Sequence, residues 1–164
     1  IRLLLAIQAL EVFHRRTSSE TVMAEQDFGQ FSKAMVAAIP PDTEPDMREK
    51  LESLYRFSNE PSLKQRLRSI VASLTEAFGE APGGFNSKFI RKLVDTRNYY
   101  THFSEQLSAR TLDGEGMYWA SRRVILLLTL LFLQRLGIAA DDIKPLLERH
   151  REFAQLWAKA ERPT

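Results

Sequence analysis

Arg97-Asn98-Tyr99-Tyr100-Thr101-His102 puts a permanent cation, a neutral amide and a titratable imidazole into one short run, directly after the helical pattern of Phe89 to Thr96. A guanidinium holds a phosphate through two parallel hydrogen bonds, and an imidazole moves protons near neutral pH. Cleavage of an RNA backbone without a metal uses both. A base takes the proton of a 2′-hydroxyl as it attacks the adjacent phosphate, and an acid protonates the leaving 5′-oxygen. A cation offsets the charge gathering on the phosphate oxygens, a term that is often the largest in such catalysis. In that scheme His102 moves protons, Arg97 stabilises the phosphate, and Asn98 orients the His or bonds a phosphate or 2′-hydroxyl. Tyr99 and Tyr100 could stack on unpaired bases, although a Tyr on a helix is more often core. The spacing alone is permissive, because Arg and His are both common.

The elements around this run decide whether the two groups can meet. Five residues along a regular helix amount to a rotation of about 140°, so Arg97 and His102 do not share a helical face. Either the helix ends near Tyr100 and His102 swings back toward Arg97, or the two meet across a dimer axis. The flanking sequence is helical almost throughout. Leu3, Ile7, Leu10 and His14 define a first helix to about Arg16. A second runs from the Thr21 region to Ile39, with Phe28, Phe31, Met35 and Ile39 on one face, and Pro40-Pro41 stops it. Pro45 and Pro61 suit the first turns of two further helices, the later one closed by Gly79.

Ala81-Pro82-Gly83-Gly84 breaks the chain before the motif helix, for which Ser87 is the expected N-cap. Ser104 to Gly116 reads as a connection. The most apolar helix then runs from about Tyr118 to Leu136, with Gly137 after it. Being apolar nearly all round, it must be covered on most sides, by the rest of a bundle or by a second subunit. Asp141 or Asp142 caps a last helix to about Ala160, with Pro145 in its first turn. The pattern predicts an all-α fold, a single bundle-like domain over 1–164 with about six to seven helices.

Composition narrows the classes of function. The chain has 164 residues, 44% hydrophobic and 27% charged, which is ordinary for a soluble globular domain. Having no Cys, it can form neither disulfides nor thiolate metal sites, in keeping with the cytoplasm. Sixteen Arg against seven Lys favours phosphate contacts, or reflects genome base composition; the net charge of +2 is too small to decide. Gly83-Gly84 lacks the Lys-Ser/Thr of a phosphate loop, and no His-Glu-x-x-His or similar spacing offers a metal, so no cofactor is expected. Leu3-Leu4-Leu5-Ala6-Ile7 lacks the flanks of a signal peptide. Val124 to Leu133 falls well short of the roughly twenty apolar residues of a membrane span. A start at Ile1, already inside a helical pattern, reads as the C-terminal part of a longer chain.

Arg97, Asn98 and His102, ahead of a strongly apolar helix, resemble the signature of the HEPN superfamily: an Arg, a polar residue and, a few residues on, a His. They fit it at its shortest spacing. The wider string Leu93 to His102, with the opening Gln8-Ala9-Leu10-Glu11-Val12-Phe13-His14-Arg15-Arg16, is similar to the ApeA-like branch. The resemblance runs from Leu3 to about Leu136. It implies a metal-independent endoribonuclease, usually a dimer with two motifs facing one cleft, that leaves 2′,3′-cyclic phosphate and 5′-hydroxyl ends. It also implies a bacterial anti-phage effector with a separate N-terminal sensing region, acting on structured RNA such as transfer RNA. Only Arg97, Asn98 and His102 are carried over as catalytic residues. Glu11, His14 and Arg15 are secondary candidates for RNA binding, since residues at such spacing on one helix can line the same cleft. HEPN toxins silenced by nucleotide transfer carry the modified Tyr where this chain has Ser104, after Phe103, which speaks against that control. The alternative is a catalytically inactive dimerisation or RNA-binding module.

Overall fold

The alternation of apolar stripes and strong breakers produces eight α-helices among the residues that the computed structural model describes, 1–158. They are α1 (Arg2–Thr17), α2 (Glu25–Ala37), α3 (Pro45–Phe57), α4 (Leu63–Phe78), α5 (Ser87–His102), α6 (Gly114–Arg135), α7 (Ala140–Arg149) and α8 (Arg151–Ala158). Short 3-10 turns at Pro82–Gly84 and Glu105–Arg110 lie before and after α5. The protein is all-α, a helical bundle as the sequence predicts. Its described residues group into two compact units, Ile1–Thr17 with Leu63 onward, and Ser18–Ser62.

In the larger unit, α6 is the hub. It packs against α1, α4, α7, α8 and the turn at Pro82–Gly84. Val124, Leu126, Leu127 and Leu130 are fully buried, on several sides of the helix, and each such side chain contributes about 1.5–3 kcal/mol by leaving water. Leu3, Ile7 and Leu10 of α1 join the same core, as do Leu67, Leu74 and Phe78 of α4 and Phe89, Ile90 and Leu93 of α5. By length and composition α6 could cross a membrane, but 44% of its most apolar window is buried inside the protein. It begins at Gly114, earlier than its apolar stretch suggests, because the Asp113 side chain accepts from the Gly116 N–H at 2.6 Å and nucleates the first turn.

The smaller unit is the α2–α3 pair. Asn59 ties its ends together: Oδ1 accepts from the Met23 N–H at 2.9 Å, and Nδ2 donates to the Met23 carbonyl at 3.1 Å. Pro45 opens α3 as expected, with Glu44 capping the Met47 N–H. Elsewhere the boundaries differ from the sequence reading. α2 begins at Glu25 and ends at Ala37, so Ile39 follows the helix, and Phe31 is exposed. Pro61 precedes α4 rather than lying in its first turn.

The last helix is also two, broken at His150, whose backbone is extended (φ −90°, ψ 100°). No Pro or Gly marks the break. Tertiary contacts set it: Leu156 is buried, Trp157 meets Phe78 edge-on at 5.5 Å, and Glu152 pairs with Arg122. Ala139, not Asp141 or Asp142, stands at the N-cap of α7, which puts Pro145 beyond the first turn. The expected end near Ala160 lies outside the described residues.

Candidate functional site

α5 is positioned by its first half. Asn86, rather than Ser87, caps it, its Oδ1 accepting from the Phe89 N–H at 2.9 Å. Phe89, Ile90, Leu93 and Thr96 then form the buried stripe at i, i+1, i+4 and i+7. Thr96 is fully buried and ties this helix to the next. Its Oγ1 donates to the Lys92 carbonyl at 2.7 Å and accepts from the Leu112 N–H at 3.0 Å. The residue before Arg97 is therefore locked to the approach of α6, and Arg97 leaves the core stripe at a fixed angle.

Arg97 is held on two sides. Its Nη1 donates to Asn98 Oδ1 at 3.1 Å, and its Nη2 lies 3.8 Å from Glu11 Oε2 on α1. The other Glu11 oxygen takes Arg15 Nη2 at 3.4 Å. Gln8, Glu11, Arg15, Arg97 and Thr101 line a cleft of about 380 Å³ between α1 and α5. The Arg97 side chain is 32% exposed and so can still receive an anion from solvent. A phosphate entering here would compete with the long Glu11 contact and meet two guanidinium groups. Sequence spacing could have found Gln8, which lies on the same face of α1 as Glu11 and Arg15. Thr101 follows Arg97 by one turn, where its hydroxyl donates to the Arg97 carbonyl at 2.7 Å.

His102 is not in this cleft. α5 continues through it, so the helix does not end near Tyr100 and the imidazole does not swing back. The reason is local: the Phe103 N–H bonds the Tyr99 carbonyl at 2.8 Å and completes the last turn. His102 stands exposed at the C-terminus of the helix. Tyr99 is half-buried and Tyr100 exposed, their rings edge-to-face at 5.0 Å. Among the secondary candidates, Glu11 and Arg15 join Arg97, whereas His14 turns the other way. It is buried, with Nδ1 3.3 Å from Arg66 Nη1 of α4. A residue three positions after Glu11 lies on the flank that α1 presents to the core.

A second cleft of about 380 Å³ lies at the start of α6, lined by Lys92, Trp119 and Arg123 among others, and includes no motif residue. The described residues contain no group of three or more His, Asp or Glu side chains placed to hold a metal ion.

The family model described as Apea-like HEPN matches residues 4–142. The chain belongs to the Apea-like HEPN family. No curated protein and no solved structure matches it significantly. The family match runs from α1 into α7 and so takes in both walls of the Arg97 cleft and the exposed His102. HEPN membership gives the chain an RNA-related, nuclease-like character at the level of the family.

Proposed function

We propose that this HEPN domain is a metal-independent endoribonuclease that works as a symmetric dimer, pairing Arg97 of one protomer with His102 of the other. The observation that carries this reading is the division of the motif. Arg97 is pre-oriented by Asn98 and Glu11 in a cleft, while the His102 side chain stands exposed around the helix with no hydrogen bond or ion pair among the described residues. One chain thus presents two half-sites, and a two-fold axis makes each half complete the other. Val12 in the cleft wall, and Leu5 two turns before it on α1, are exposed apolar residues of the kind a second copy would cover.

In the composite site a phosphate of the RNA binds Arg97, whose two guanidinium edges suit two phosphate oxygens. The ribose 2′-oxygen attacks phosphorus as a base takes its proton, and the bond from phosphorus to the 5′-oxygen breaks as that oxygen is protonated. His102 supplies the proton transfers. The products are a 2′,3′-cyclic phosphate and a 5′-hydroxyl. Folded RNA with exposed loops, transfer RNA above all, offers the unpaired nucleotides that such attack needs. The setting is the bacterial cytoplasm, as an effector of anti-phage defence.

The test is cleavage of a transfer-RNA pool in EDTA by wild type and His102→Ala, with the fragment ends mapped. Wild-type cleavage leaving cyclic phosphates, lost in His102→Ala with helicity and dimer intact, is the expected result. Equal cleavage by both removes His102 from the chemistry. Binding of RNA without products at any protein concentration would make the domain a non-catalytic module.

A further inference from the structure

The residue that closes the motif helix is the one that helix-end chemistry favours least. Phe103 sits in the left-handed region (φ 49°, ψ 41°), the only described residue other than Gly with positive φ. Helices commonly end this way, but on Gly or Asn, because a Cβ in this region crowds the following carbonyl. The Phe103 ring gains little from packing to compensate, being 79% exposed. Its neighbours are polar: Thr101 and His102 before it, Ser104, Glu105 and Gln106 after it, with Tyr100, 40% exposed, one turn back. Two exposed aromatics, Tyr100 and Phe103, among polar residues are unlike the contiguous apolar centre of a protein interface. They match the aromatic side chains on which single-stranded nucleic acids stack their bases.

Position gives the ring its task. It directly follows His102, so a ribose whose 2′-oxygen reaches His102 carries its own base, or its neighbour's, within reach of Phe103. In-line attack at that ribose needs the base splayed out of any duplex, and an aromatic face is what holds a splayed base. The left-handed backbone sets the direction in which the Phe103 side chain leaves the chain, next to His102. We propose that Phe103 is a substrate-positioning residue that stacks an unpaired nucleobase next to the scissile phosphate. This rests on the ribonuclease reading and adds a preference for unpaired, strongly stacking bases at the cut.

The probe is a hairpin RNA with 2′-O-methyl riboses in its loop, which cannot be cut there, titrated by fluorescence anisotropy against the full chain at a fixed dimer concentration. Wild type is compared with Phe103→Trp, Phe103→Leu and Phe103→Gly. Phe103→Trp should bind as tightly as wild type. Phe103→Leu and Phe103→Gly should weaken binding by about 5- to 150-fold, the range of one lost base stack. Phe103→Gly should at the same time melt at or above the wild-type temperature, because it relieves the left-handed backbone. Stability and RNA affinity moving in opposite directions is the signature of a retained binding residue. Leu binding as well as Phe would overturn the proposal. So would a Phe103→Gly variant whose dimer dissociates, in sedimentation, while its affinity per dimer for the hairpin is unchanged. If wild type neither binds this hairpin nor cuts RNA in EDTA, the ribonuclease reading fails first and this one with it.

Discussion

Replacing Thr96 by Val removes one hydroxyl and almost no volume from the place where the motif helix is tied to the helix that follows. The Leu112 N–H bonds Thr96 Oγ1 at 3.0 Å, and Thr96 is fully buried and Leu112 nearly so, leaving water no access to repair the loss. A buried donor stranded in this way costs about 1–3 kcal/mol. The added methyl returns somewhat less than about 0.8 kcal/mol of burial, and the Lys92 carbonyl loses only a second partner. The net expectation is a loss of about 1–2 kcal/mol. For a chain of this length that lowers Tm by about 2–8 °C. Thermal and urea unfolding followed by circular dichroism measures the loss, and amide hydrogen exchange locates it. The Leu112 amide should exchange much faster in Thr96→Val and stay protected in Thr96→Ser, which keeps the hydroxyl. A Thr96→Val protein of unchanged stability with Leu112 still protected would refute the claim that this bond fixes the angle at which Arg97 leaves the core.

Two further expectations separate chemistry from stability. Glu11→Gln keeps the shape but removes the charge that steadies Arg97 and Arg15; the long, only partly buried Arg97 contact makes its stability effect about 1 kcal/mol or less, while RNA cleavage should fall several-fold. His102→Ala, at an exposed helix end with no side-chain partner among the described residues to lose, should change unfolding free energy by about 0.5 kcal/mol or less and still abolish cleavage.

Much of this is legible in the sequence for physical reasons that can be named. Helix period, Pro45, Pro40-Pro41 and the glycines at 79 and 137 bound several helices closely, since backbone chemistry at those points is local. The fold class follows from the same periodicity, and the family from the residues around Arg97 with the opening of α1. The Glu11–Arg97 contact is partly readable: a shared cleft is expected, but i, i+3, i+4 spacing does not say which of Glu11, His14 and Arg15 faces it. His14 goes to the core because that flank of α1 meets Arg66 of α4, a partner far away in the chain.

The misses share that dependence on context beyond the local pattern. The break at His150 follows from where Trp157 and Glu152 find partners, and no residue at the break announces it. Thr96 reads as one more helix residue, because its partner Leu112 lies well beyond the helix that carries it. The end of α5 is hidden because Phe103 adopts a backbone that its type disfavours. The helix therefore carries His102 about one turn beyond Asn98 and away from the Arg97 cleft.

The composite site is the claim on which the account turns, and mixing two dead variants tests it most directly. Arg97→Ala and His102→Ala should each be inactive on transfer RNA in EDTA. When they are unfolded, mixed and refolded together, half of the dimers pair one variant with the other, and each mixed dimer holds one intact site of two. Activity should return to about a quarter of wild type. If the refolded mixture stays inactive although mixed dimers are present, Arg97 and His102 do not act across a two-fold axis, and the proposed site is wrong.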